Sequence, residues 1–68
     1  MLDELEILCL TLVAYGHSAT SIAIHADVPR NAIGELLSRA CGKLQADNLL
    51  QAVAKACRLD LLKTGEAS

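Results

Sequence analysis

The sequence predicts an all-α fold, a compact domain of four short helices around an aliphatic core. Of the 68 residues 53% are hydrophobic, and these include one tyrosine but no phenylalanine or tryptophan. A chain this apolar is not intrinsically disordered, and a single proline with four glycines leaves long stretches free for helices. Within these stretches apolar residues recur at spacings of three and four, which is the period of an amphipathic helix.

The start and stop signals divide the chain into four helices and a tail. Asp3 can cap the first helix, and Glu6 stands three places later, where its side chain can return a hydrogen bond to the cap. Gly16 suits the left-handed position that follows a helix, and Ser18 suits the next cap. The helices are predicted over about residues 3–15, 18–26, 29–45 and 48–62, with a disordered tail at 63–68.

The second and third helices are predicted to meet at a tight turn. Pro29 suits either the last position of the turn or the first position of the third helix, where its missing N–H is not needed. Asn48 or Asp47 can cap the fourth helix. A short turn between two such helices is typical of the helix-turn-helix motif. The apolar stripe of the third helix comprises Ile33, Leu36, Leu37, Ala40, Cys41 and Leu44.

The remaining composition argues against several classes of protein. Cys9, Cys41 and Cys57 form an odd set without metal-ligand spacing, so we expect reduced thiols. His17 and His25 have no His or Cys at i+4, and we interpret both as ordinary loop or surface residues. No catalytic triad, phosphate-binding glycine loop or cofactor motif is present in the sequence. We therefore expect no enzyme activity, no metal and no cofactor.

From the sequence we expect neither a signal peptide nor a membrane-spanning segment. Asp3, Glu4 and Glu6 stand close to Met1, where a signal peptide has a basic region, and no apolar stretch reaches the ~18 residues of a membrane span. We expect a cytoplasmic protein without membrane contact. The net charge of −2 is the opposite of the basic footprint expected of a domain that binds through phosphate contacts.

Many residues nevertheless match one family pattern in register along residues 2–62. The pattern runs L-T-x-x-E, A-x-G-x-S-x-x-E-I-A, T-V-x-x-H, K-L and A-V-x-x-A, and the chain resembles the LuxR/GerE-type helix-turn-helix domain. The matching residues are Leu2, Asp3, Glu6, Leu10, Ala14, Gly16, Ser18, Ile22, Ala23, Val28, Ile33, Lys43, Leu44, Asn48, Ala52, Val53, Ala56 and Leu61. The resemblance implies a transcriptional regulator that places its third helix in the major groove of double-stranded DNA.

The residues that would touch DNA depart from that pattern. Ser21 stands in place of the family's Glu, Ala32 in place of its Thr, and Leu36 in place of its His. Glu35 can accept a hydrogen bond from cytosine N4, but phosphate charge repels it. The candidate DNA-binding residues, all in the third helix, are Arg30, Asn31, Gly34, Glu35, Ser38, Arg39 and Lys43.

The fourth helix supplies the expected partner surface. Leu49 and Leu50 are adjacent, about 100° apart on a helix, so both cannot point at one core. The family often dimerises through this helix, and the predicted homodimer interface comprises Leu49, Leu50, Val53, Cys57 and Leu61.

Two alternatives remain open. The same frame could bind another transcriptional regulator through its apolar first and fourth helices, as an adaptor or antiactivator whose acidic charge keeps it from DNA. Members of the family also commonly carry an N-terminal receiver or ligand-sensing domain, so the chain could be an excised C-terminal domain.

Overall fold

A computed structural model of the protein describes residues 2–62, and these residues contain four α-helices and no strand. The helices are α1 (Glu4–Ala14), α2 (Ala19–Ala26), α3 (Arg30–Lys43) and α4 (Leu49–Arg58). The predicted all-α class is therefore confirmed, and the first three helices lie within two residues of their predicted bounds. The tail predicted at 63–68 lies outside the described residues.

Three of the helix starts follow the predicted capping chemistry. The backbone N–H of Asp3 donates to Glu6 Oε1 at 2.9 Å, within a capping box at the start of α1. Ser18 Oγ accepts from the N–H of Ser21 at 3.2 Å, and Asn48 Oδ1 accepts from the N–H of Gln51 at 2.8 Å. Each bond satisfies an N–H group that has no partner inside its own helix. Asn48, and not Asp47, is thus the cap of α4.

All four helices are followed by a residue in the left-handed conformation, and two backbone N–H groups after each helix donate hydrogen bonds to carbonyl groups of its last turn. After α1, for example, Gly16 has φ +90°, and the N–H of His17 bonds to Leu12 O at 3.0 Å. The left-handed residues that close the other helices are Asp27, Gln45 and Asp60. This Schellman arrangement satisfies carbonyl groups that would otherwise have no partner.

The prediction that the fourth helix extends to residue 62 is wrong, because α4 ends at Arg58. Asp60 takes φ 61°, and the N–H of Leu61 turns back to Ala56 O at 2.9 Å. Leu61 is thereby folded against the apolar cluster around Leu10, which a continuing helix would not allow. Apolar spacing alone cannot detect such a stop, since the residues beyond it are still leucines.

Gln45 holds a left-handed conformation without being glycine, and this predicts a stabilising substitution. The conformation costs an L-residue roughly 1–2 kcal/mol, whereas glycine loses about 0.4–1 kcal/mol more than other residues by being ordered. Gln45→Gly is therefore expected to raise the free energy of unfolding by about 0.5–1 kcal/mol, measured by urea denaturation. Gln45→Ala, which keeps the strain, serves as the control and should not stabilise; equal stability of the two variants would contradict the argument.

The core consists of two apolar clusters that share α1. The first joins Cys9 of α1 to Ile22, Ala23 and Ile33 of the next two helices. The second joins Leu10 of α1 to Ala40 of α3 and to the two buried alanines of α4, Ala52 and Ala56. Neighbouring helical positions point about 100° apart, so Cys9 and Leu10 serve different clusters. This accounts for the apolar residues spread around α1, because that helix packs on two sides.

Among residues 2–62 no helix has both the length and the apolarity needed to cross a lipid bilayer.

Candidate nucleic-acid interface

The corner between α2 and α3 sets the direction of α3. Asp27 adopts φ 60°, and the N–H of Val28 closes the end of α2 by bonding to Ala23 O at 3.1 Å. Pro29 then precedes α3 in an extended conformation. Ile22 and Ile33 are buried together across this corner, and Val28 packs on them. The two helices are therefore separate, and the first turn of α3 projects from the corner.

One side of α3 faces solvent. The buried residues of the helix are Ile33 and Ala40, which fix its inner side in the two clusters. All seven residues proposed for DNA contact are exposed, and we call them the α3 face: Arg30, Asn31, Gly34, Glu35, Ser38, Arg39 and Lys43. The periodicity that places apolar residues inward thus leaves these polar positions on the outside.

Arg30 is held at the open end of the α3 face. Its Nε donates to Thr20 Oγ1 of α2 at 3.0 Å, which links the first turns of the two helices. Within residues 2–62 no carboxylate forms an ion pair with Arg30. Among residues 2–62 no side chain caps the start of α3, so the N–H groups of Arg30 and Asn31 are available to an acceptor outside the chain, while that of Ala32 bonds to Pro29 O at 2.9 Å. This end of the α3 face can donate both from side chain and from backbone.

The other two cations of the α3 face already have carboxylate partners. Arg39 Nη2 lies 3.4 Å from Glu35 Oε2, one turn away on the exposed surface. Lys43 Nζ lies 2.9 Å from Glu6 Oε1 and 3.9 Å from Asp3 Oδ2, both from the start of α1. The α3 face therefore carries much less free positive charge than its three cations suggest.

The ion pair between Lys43 and Glu6 differs from the exposed pair between Arg39 and Glu35 because Glu6 is fully buried. Burial pushes the pKa of Glu6 upward, but the Asp3 N–H and the Lys43 ammonium together hold it below its ordinary value of 4.5. Among the described residues Glu6 Oε2 has no hydrogen-bond partner. An ionised carboxylate in this position depends on its cation. Lys43 is thus a structural residue of the α1–α3 contact as well as a member of the α3 face.

Cys9 lies one turn along α1 from Glu6. Burial, reinforced by the negative charge of Glu6, raises the pKa of the Cys9 thiol. All three cysteines are free in the structure. A buried thiol with a raised pKa is a poor nucleophile, so Cys9 acts as a packing residue.

The predicted dimer residues divide into two groups. Leu49, Val53 and Leu61 are half-buried and pack against the cluster around Leu10 in the same chain. Leu50 and Cys57 are exposed, and 80% of the Leu50 surface is accessible. A groove beside Leu50 is lined by Val13, Ala14, Leu49, Leu50 and Val53. The apolar surface available to a partner therefore includes the end of α1 as well as α4.

A second set of cations lies at the far end of α3, about 20 Å along a 14-residue helix from Arg30. Lys55 of α4 donates to the carbonyl of Gln45 at 2.7 Å and to that of Leu44 at 3.4 Å. It neutralises the partial negative charge of the helix terminus. With Lys43 and Arg58 it lines a surface cavity of about 330 Å³. These cations serve the C-terminus of α3 and not its first turn.

The chain matches no protein-family model, no curated protein and no solved structure among those with which it was compared. Its likeness to the LuxR/GerE domain consequently depends on the sequence positions given above.

Proposed function

We propose that the chain is a DNA-binding transcriptional regulator of helix-turn-helix type, similar to the LuxR/GerE domain, that acts as a dimer. The observation that carries the proposal is the α3 face, since a helix anchored on one side exposes polar residues along the other. An α-helix of this kind fits the major groove of B-DNA. In this proposal α3 enters the groove by its first turn, next to the corner with α2.

The first turn of α3 supplies groups that suit both parts of a DNA strand. The Arg30 guanidinium can pair with guanine, and the Asn31 amide can pair with adenine. The uncapped N–H groups of the same turn can donate to a phosphate, a group that helix N-termini bind well. These three kinds of donor lie together at the end of α3 that projects from the corner.

The ion pairs limit which cations can bind phosphate. Arg39 would give up only an exposed pair with Glu35, which is worth less than about 1 kcal/mol. Lys43 would have to leave the buried carboxylate of Glu6, which is considerably more costly. Arg39 is therefore the cation of the α3 face that can most easily bind a phosphate, while Arg30 is the cation that pairs with a base. A dimer that neutralises two phosphates through Arg39 should show a log–log salt slope near −2.

The proposal is tested by titrating labelled promoter fragments with the protein at ~50 mM salt and following fluorescence anisotropy. Arg30→Ala is expected to weaken binding by at least about tenfold, equivalent to one base contact worth 1–3 kcal/mol. Arg58→Ala is the matched control, because Arg58 is an exposed arginine in α4, and it should change affinity less than about twofold. Equal losses in the two variants would argue for nonspecific charge, and no binding by the folded wild-type protein would remove the proposal.

The dimer is proposed to form through the exposed Leu50 and the groove between α1 and α4. A single exposed leucine is common on protein surfaces, but here it adjoins a groove lined by valine, alanine and leucine residues. A two-fold contact would place Leu50 of each copy against the groove of the other. Sedimentation of the sample used for the DNA titration gives its association state.

A second candidate function, binding to another transcriptional regulator without DNA contact, is favoured by the internal pairing of Arg39 and Lys43. Glu35→Lys separates the two functions. In a DNA-binding protein it removes a repelling carboxylate and frees Arg39, so affinity for DNA should increase sharply. In a module that binds only protein the same variant remains unable to bind DNA.

A further inference from the structure

The two histidines of the chain meet in space although they are eight residues apart. His17 lies in the turn between α1 and α2, and His25 lies in the last turn of α2. Their ring centroids are 5.1 Å apart, and the ring planes are inclined at 85°. His25 is exposed and His17 is half-buried, so the pair is open to solvent. The sequence contains no other histidine.

Ser21 orients the inner ring of this pair. The Nδ1 atom of His17 lies 2.8 Å from Ser21 Oγ. In the tautomer with the proton on Nδ1, the ring donates to the hydroxyl and the lone pair of Nε2 is free. A histidine that ligates a metal through one nitrogen almost always donates its other N–H to a neighbouring acceptor, which fixes the ring. Ser21 can provide that acceptor.

We propose that His17 and His25 form a two-histidine site for a divalent transition-metal ion such as Zn²⁺. Two imidazoles bound to one tetrahedral zinc at Zn–N distances of about 2.0–2.1 Å have centroids roughly 5 Å apart, close to the separation seen here. The outer torsion of a histidine side chain is broad, so the exposed His25 ring can turn a nitrogen toward the ion. Neutral imidazole is a preferred ligand of this class of metal.

The site would bind through these two protein ligands, with water in the remaining positions. In residues 2–62 no group of three or more His, Cys, Asp or Glu side chains is arranged to hold a metal ion. Affinity should therefore be lower than that of a closed structural zinc site, which has four protein ligands. The ion would connect the α1–α2 turn to the last turn of α2. Because the ion would bind the folded state and not the unfolded state, its binding would stabilise the folded chain.

The test is a titration of the wild-type chain with Zn²⁺ by calorimetry, with the imidazole proton resonances followed by NMR. One equivalent is expected to bind, to shift the resonances of both histidines and to raise Tm. His25→Gln is expected to weaken binding by at least about tenfold, and Ser21→Ala by up to about tenfold as a positioning residue. Because His25 is exposed, its substitution should leave the fold intact.

The free thiols provide the necessary control. Cys57→Ser removes the exposed thiol and should leave Zn²⁺ affinity unchanged, and Co²⁺ bound at the site should show no thiolate charge-transfer band. Undiminished binding by His25→Gln, or its loss in Cys57→Ser, would overturn the proposal. Failure of Zn²⁺ binding does not affect the DNA proposal, since His17 and His25 are not part of the α3 face.

Discussion

Lys43→Met is expected to lower the free energy of unfolding by about 1–3 kcal/mol at neutral pH. The substitution keeps the aliphatic part of the side chain and removes the ammonium group that lies 2.9 Å from Glu6 Oε1. Glu6 is fully buried, so its carboxylate would be left with only the Asp3 N–H as a donor among the described residues. The loss is placed below the 3–5 kcal/mol of a fully enclosed pair because 35% of the Lys43 side chain is accessible to solvent.

The pH dependence of this loss identifies its cause. The pKa of Glu6 in the folded chain lies below 4.5, so the folded state binds fewer protons at this carboxyl than the unfolded state does. Its contribution to stability is complete above pH 4.5 and is lost as pH falls through the folded value. Lys43→Met removes part of that contribution. The unfolding free energies of the wild type and the variant should therefore converge in acid, as urea denaturation at several pH values can show.

Two controls separate this pair from ordinary surface charge. Arg39→Met breaks the exposed pair with Glu35 on the same helix and should cost less than about 0.5 kcal/mol. In a chain that carries Glu6→Gln, the effect of Lys43→Met should be much smaller, because no buried charge remains to be compensated. A deficit that persists unchanged once pH has fallen below the folded-state pKa of Glu6, or that equals the effect of Arg39→Met, would refute the assigned role.

Leu10→Ala is expected to have the largest effect on stability, a loss of about 3–5 kcal/mol. Leu10 is fully buried, and the buried residues around it in the second cluster are Ala40, Ala52 and Ala56. Alanine has no side-chain torsion by which it could fill the space left by leucine, so the cavity should persist. A 68-residue domain has a total stability of roughly 3–10 kcal/mol, so the substitution should remove a large fraction of it.

The loss is measured by urea denaturation with Gln45→Gly present in both chains, because its expected gain of about 0.5–1 kcal/mol extends the folded baseline of each. Leu50→Ala removes the same atoms from a side chain that is 80% accessible and should change monomer stability by less than about 0.5 kcal/mol. An effect of Leu50→Ala that grows with protein concentration would come from the proposed dimer. If Leu10→Ala cost less than about 1 kcal/mol, the packing described for the second cluster would be incorrect.

Local chemistry in the sequence predicted most of the helix boundaries. The caps at Asp3, Ser18 and Asn48 and the glycine at position 16 act within a few residues, so their spacing is visible without a structure. The stop at Asp60 was missed because aspartate in the left-handed conformation has no signature comparable to glycine. Local rules therefore locate helix ends well when the closing residue is itself diagnostic.

The candidate site was only partly predictable, because its decisive contacts are remote in sequence. The periodicity of α3 identified its exposed residues, but Lys43 bonds to Glu6 across 37 positions of the chain. The capping-box rule already gave Glu6 a sufficient local role, so nothing in the sequence indicated a second one. The spacing of metal ligands along one helix likewise gives no sign that His17 and His25 meet. His17 lies in a turn outside α2, and its contact with His25 depends on the conformation of that turn.

The sharing of α1 between two apolar clusters has a consequence for biosynthesis. Leu10 packs against Ala52 and Ala56, which lie more than forty residues later in the sequence. During translation the second cluster cannot close until α4 has left the ribosome, whereas the first needs residues only as far as Leu37. A nascent chain should accordingly hold its early helices in a loose, aggregation-prone state, and tight packing should come late, in one cooperative step.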